Sequence, residues 1–139
     1  MKLSEVVNIG SGYLFREKVR HEAAGEYQII QIKDITDDNT IDWENMSKTD
    51  LKSVKQNSLV KKGDIVFRAR GNKFFATLID CEAGKTIATS QFFILRVKQK
   101  DTLLPEYLSW YINQSKAQRF LAQISAGTNI KQIQRKGLG

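Results

Sequence analysis

Between Leu59 and Asn72 the chain reads L-V-K-K-G-D-I-V-F-R-A-R-G-N, an apolar β-branched run held between two glycine turns. Lys62-Gly63-Asp64 is a turn signal, because glycine accepts positive φ and aspartate can hydrogen-bond back to its own backbone. A strand is therefore expected to start at Ile65. Side chains alternate along a strand, so Ile65, Phe67 and Ala69 fall on one face and Val66, Arg68 and Arg70 on the other. Gly71-Asn72-Lys73 then breaks the strand and puts Arg70, Asn72 and Lys73 at a loop tip, beside Phe74–Ile79 as the second arm of a hairpin. A buried strand that carries guanidinium groups into a turn presents planar donors matched to phosphate or guanine. A single arginine on such a strand is more commonly just part of a solvated face.

The remaining segments read as more strands followed by helices. Leu3–Ile9 is a short strand or helical turn, released into a loop by Gly10-Ser11-Gly12. Tyr27–Ile32 is β-branched and aromatic and predicts a strand. Asp34–Asn39 is an acidic run that lacks the glycine and distal glutamate of a calcium loop, so a solvated turn is expected. Ile41–Trp43 predicts a short strand, and Leu51 with Val54 a short helix. Thr86–Thr89 and Gln91–Val97 follow as strands, the second apolar enough to be covered on both faces. Leu104-Pro105-Glu106 signals a helix start. Tyr107, Leu108, Tyr111 and Ile112 share one face of this helix, and its aromatic residues, Trp110 included, read as core. Ser115 with Gln118 forms a capping box for a second helix that turns Phe120, Leu121 and Ile124 inward and stops at Gly127. The fold class expected is α+β (mixed): a twisted, mainly antiparallel β-sheet core with a C-terminal pair of short helices.

Composition narrows the function. The chain has 139 residues, 41% of them hydrophobic, which fits one domain with its own core over residues 1–139. One cysteine and one histidine, Cys81 and His21, exclude an internal disulfide and a multi-cysteine zinc site, and suit a reducing cytoplasm. No run approaches the roughly 18 apolar residues that span a bilayer. The formal net charge is +7, and it is unevenly spread. Residues 1–64 hold 10 Lys/Arg against 11 Asp/Glu, whereas residues 65–139 hold 12 against 4. A surplus confined to one half points to a polyanionic partner, nucleic acid ahead of a membrane surface. No cofactor, metal or small-molecule substrate is expected.

The candidate contact residues follow from that charge. Besides Arg68, Arg70, Asn72 and Lys73, they include Arg16, Lys18 and Arg20, interleaved with Tyr13 and Phe15 so that rings can stack while cations neutralise phosphate. Gln91 carries an amide able to pair with adenine in a groove. Thr128, Asn129 and Lys131 lie in a polar segment suited to phosphate. Catalytic signatures are missing: there is no glycine-rich phosphate loop, paired-histidine zinc motif, nucleophile elbow or Asn-Pro-Pro-Tyr-type methyltransferase motif. A stand-alone RNA-binding module and a structural remnant that binds no target remain as alternatives.

The order and spacing of several pieces carry a resemblance along almost the whole chain. These are Ile30-Gln31-Ile32-Lys33-Asp34-Ile35, Leu59 through Gly71, Gln91-Phe92-Phe93-Ile94, Leu104-Pro105-Glu106-Tyr107-Leu108 and Ser125-Ala126-Gly127-Thr128. Together they resemble the target-recognition domain of the DNA specificity (S) subunit of type I restriction-modification systems. The resemblance implies a non-catalytic domain that reads one half of a bipartite double-stranded DNA target. It also implies partner methyltransferase (M) and restriction (R) subunits that perform the chemistry of DNA modification and defence against foreign DNA. The family's motif residues are structural and its base-reading residues vary, so the resemblance transfers no base contact. Its spacer helix and second repeat have no counterpart before Lys136-Gly137-Leu138-Gly139, so a single recognition domain is expected.

Overall fold

The computed structural model describes residues 7–13, 25–36, 38–50, 58–68, 75–98 and 103–125. Among these residues seven strands are formed: β1 (Val7–Ser11), β2 (Tyr27–Ile30), β3 (Ser47–Thr49), β4 (Ile65–Arg68), β5 (Ala76–Leu78), β6 (Thr86–Ala88) and β7 (Phe92–Val97). Two helices follow them among the described residues, α1 (Pro105–Ile112) and α2 (Ser115–Ser125). The architecture is α+β, as the sequence predicts.

β1, β7, β4 and β5 make a four-stranded antiparallel sheet in that order, and β3, β2 and β6 make a three-stranded one. Within the smaller sheet β2 runs antiparallel to β3 and parallel to β6. β4 follows a turn in which the Asp64 N–H donates to the Lys61 carbonyl at 2.9 Å, with Gly63 at φ 92°. That left-handed backbone is why glycine is needed there. The expected arms of the hairpin do pair, Ile65 with Leu78 and Phe67 with Ala76, while the Gly71-Asn72 turn lies outside the described residues.

The large sheet separates two cores. On one face Val7, Ile9, Ile65, Phe67, Leu95 and Val97 pack under Leu108, Ile112 and Leu121 of the helices. On the other, Val66 and Phe92 pack with Ile30, Met46, Val60, Ile79 and Ala88 of the smaller sheet and its connections. Val66 and Phe67, neighbours in sequence, are thus both fully buried, each in a different core. The chain passes from β6 to β7 through a tight turn in which the Phe92 N–H donates to the Thr89 carbonyl at 3.1 Å. Gly12 lies against this crossing: a Cβ there would overlap the Thr89 carbonyl, so only glycine allows β1 so near the second sheet.

Several local expectations are corrected. Gly10 and Ser11 are strand, paired with Ile94 and Phe93, because an edge pairing with β7 outweighs their loop propensity. β2 ends at Ile30, and Ile32–Asp34 is a 3-10 turn. There the Asp34 carboxylate accepts the Gln31 N–H at 2.8 Å, so Asp34 is buried at 2% exposure rather than solvated. Ile41 contributes only an isolated bridge to Ile35, and the strand of that region is Ser47–Thr49, a polar triplet with no apolar signal. The helix expected around Leu51 and Val54 lies outside the described residues. Of the α1 residues expected on the inner face only Leu108 and Ile112 are buried; Tyr107, Trp110 and Tyr111 are exposed, and so is Phe120 of α2. Both helices are shallow, one layer over a sheet, and a core on one side accepts only one stripe of each.

Candidate nucleic-acid interface

Two of the candidate contact residues are described, Arg68 and Gln91, and the fold brings them together. Arg68 is the last residue of β4 and pairs with Phe92, the residue after Gln91. Its N–H donates to the Phe75 carbonyl at 3.0 Å, and its half-buried side chain lines a 190 Å³ pocket with Thr36, Asn39, Phe75 and Phe92. Gln91 is exposed in the turn between the sheets, its amide oxygen 3.5 Å from Thr89 Oγ1. That distance is at the limit of a hydrogen bond, which leaves the amide group accessible.

β1 runs out at the same place. Ser11 pairs with Phe93, the Gly12 N–H donates to the Phe92 carbonyl at 3.0 Å, and the Tyr13 N–H donates to the Ala88 carbonyl at 2.7 Å. Residue 13 and residue 68 therefore flank one turn, Thr89–Phe92. The segment holding Arg16, Lys18 and Arg20 follows the first of these residues in sequence, and that holding Arg70, Asn72 and Lys73 follows the second. Those six residues, with Thr128, Asn129 and Lys131, lie outside the described residues.

A further arginine on the same sheet was not singled out by sequence reasoning. Arg96, in β7, donates from Nε to Asp64 Oδ1 at 2.9 Å and from Nη2 to Asp64 Oδ2 at 2.7 Å and to the Leu59 carbonyl at 3.1 Å. Asp64 is buried, and its Oδ2 also accepts the Lys61 N–H at 2.8 Å. The hydrogen bonds to Asp64 raise the Arg96 pKa above its usual value, against a smaller opposing effect of burial. One ion pair thus anchors the turn before β4 to the central strand. The signal in the sequence was a lone cation inside Q-F-F-I-L-R-V: a charge in a covered strand needs a partner.

Opposite this face, α1 exposes a cluster of rings. Tyr107 lies 5.9 Å from Trp110 and 6.4 Å from Tyr111, centroid to centroid. Among the described residues no group of three His, Cys, Asp or Glu side chains could hold a metal ion, and no helix is long and apolar enough to cross a membrane. No curated protein matches the chain significantly. A family model for the type I restriction modification DNA specificity domain matches residues 1–138. With that match running through both sheets and both helices, the chain belongs to the family of type I restriction-modification DNA specificity domains.

Proposed function

We propose that this chain is a single target-recognition domain that binds double-stranded DNA sequence-specifically and performs no chemistry itself. It reads one half of a bipartite target in the cytoplasm and directs methyltransferase and restriction subunits of a type I system to it. One observation carries the reading beyond family membership. Arg68 and Gln91 sit at the end of the large sheet where β1 and β4 lead into the two basic segments of residues 14–20 and 69–74. The cations of those segments suit phosphates, while the arginine forks and the amides of Gln91 and Asn72 have the donor patterns that distinguish guanine and adenine in the major groove.

Selection from a random duplex library tests this directly. Enrichment of a defined half-site, with duplex preferred over single-stranded RNA at several salt concentrations, is the expected result. Binding without enrichment, or a preference for RNA, would overturn it.

A further inference from the structure

Asp64 occupies only one edge of the Arg96 guanidinium. The bonds described above use Nε and both protons of Nη2. A guanidinium has five N–H donors, so the two on Nη1 have no partner among the described residues. Asp64 is 4% exposed in its side chain and Arg96 31%, which puts the engaged edge inside and the unengaged one toward solvent.

That side is an open groove of 430 Å³, lined by Asn8, Gly10, Ser11, Ser58, Ile94 and Arg96. Asn8 stands across from Arg96 in the β1–β7 register, and Gly10 across from Ile94, so these four share one face of the sheet. Gly10 leaves the floor bare. No carboxylate side chain lines the groove. The Asn8 amide and the Ser58 hydroxyl make no hydrogen bond among the described residues. An oriented pair of guanidinium donors beside an amide and a hydroxyl is matched to the oxygens of a phosphate. No aromatic side chain lines the groove, so nothing there offers a stacking surface for a base.

We infer that this groove takes a phosphodiester of the DNA backbone, with Arg96 donating from Nη1 and Asn8 and Ser58 completing the seat. The inference rests on the DNA-binding reading and adds to it a fixed contact on the sheet itself. Such a contact sets register on the duplex without reading sequence. The Arg96–Asp64 pair then has two roles, since the buried carboxylate that anchors the turn also holds the guanidinium at one angle.

The test puts an anion into the groove from the protein side. Asn8→Asp, at an exposed strand position, places a carboxylate opposite Arg96; Ser58→Asp does so from the other wall and serves if the first variant loses its thermal unfolding transition. Gln123→Glu, exposed on α2 behind the opposite sheet face, controls for net charge. Binding of a mixed-sequence duplex pool is measured by fluorescence anisotropy across salt. Either groove variant is expected to bind roughly threefold to tenfold more weakly, equally for all sequences, with the slope of log K against log salt reduced by about 0.9. The control is expected to keep the parent slope. If the parent binds duplex and the groove variants match either the parent or the control, the groove assignment is overturned while the DNA reading stands. If the parent binds no duplex even at low salt, both fall.

Discussion

Asn113 holds Ala76 by both of its backbone groups: Oδ1 accepts the Ala76 N–H at 2.8 Å, and Nδ2 donates to the Ala76 carbonyl at 2.9 Å. Ala76 lies on β5, the edge of the large sheet, and Asn113 closes α1. The side chain mimics a neighbouring strand, and Asn39 Nδ2 adds another bond to the same carbonyl at 2.8 Å. An edge strand with unpaired groups invites association, and here it is capped by a helix end. Asn113→Ala leaves a buried N–H unpaired and is expected to cost about 1–3 kcal/mol in urea unfolding, with the m-value unchanged.

The Arg96–Asp64 pair predicts an asymmetry between its two halves. Arg96→Met strands a buried carboxylate, whereas Asp64→Asn leaves a guanidinium that is already part-exposed. The arginine variant is therefore expected to be the less stable of the two, by about 1 kcal/mol or more, in parallel thermal or urea melts. Equal losses would mean that the turn geometry and not the buried charge dominates.

Gly12→Ala drives a methyl group into the Thr89 carbonyl and pushes β1 away from the sheet crossing. A loss of about 1–3 kcal/mol is expected, comparable to overpacking a core. Gly10→Ala is the control: its Cβ would meet nothing nearer than the Ile94 carbonyl at 3.9 Å, so its unfolding midpoint should hardly move.

The two sides of α1 are expected to respond differently. Leu108→Ala removes a buried side chain and should cost about 2–4 kcal/mol. Trp110→Ser removes a ring that is 57% exposed and should change stability by no more than about 0.5 kcal/mol, despite the larger volume lost.

For base reading, Arg70→Ala is expected to weaken binding to a selected duplex by about 1–3 kcal/mol and to relax specificity at one position. Unchanged affinity and specificity at fixed salt would remove Arg70 from the set of reading residues.

The sequence by itself determined the local pieces. The Gly63-Asp64 turn, the apolar strands at Ile65 and Phe92, and the helix start at Pro105 each follow from neighbours a few residues away, through φ preference, alternation and capping. Charge asymmetry and the ordered motifs of the resemblance likewise needed no coordinates. Tertiary structure decided what depends on distant partners. Asp34 looked like solvated turn and is buried because Gln31 and the 3-10 turn satisfy it. Ser47–Thr49, with no strand signal, became a strand because β2 offered an edge. Tyr107, Trp110 and Phe120 looked like core and lie outside, since a helix resting on one face of a sheet buries a single stripe. Arg96 was hidden in an apolar run until Asp64, 32 residues earlier, came within hydrogen-bonding distance. Burial and charge pairing are properties of the assembled sheets, and a one-dimensional pattern records only the half of each that its own segment supplies.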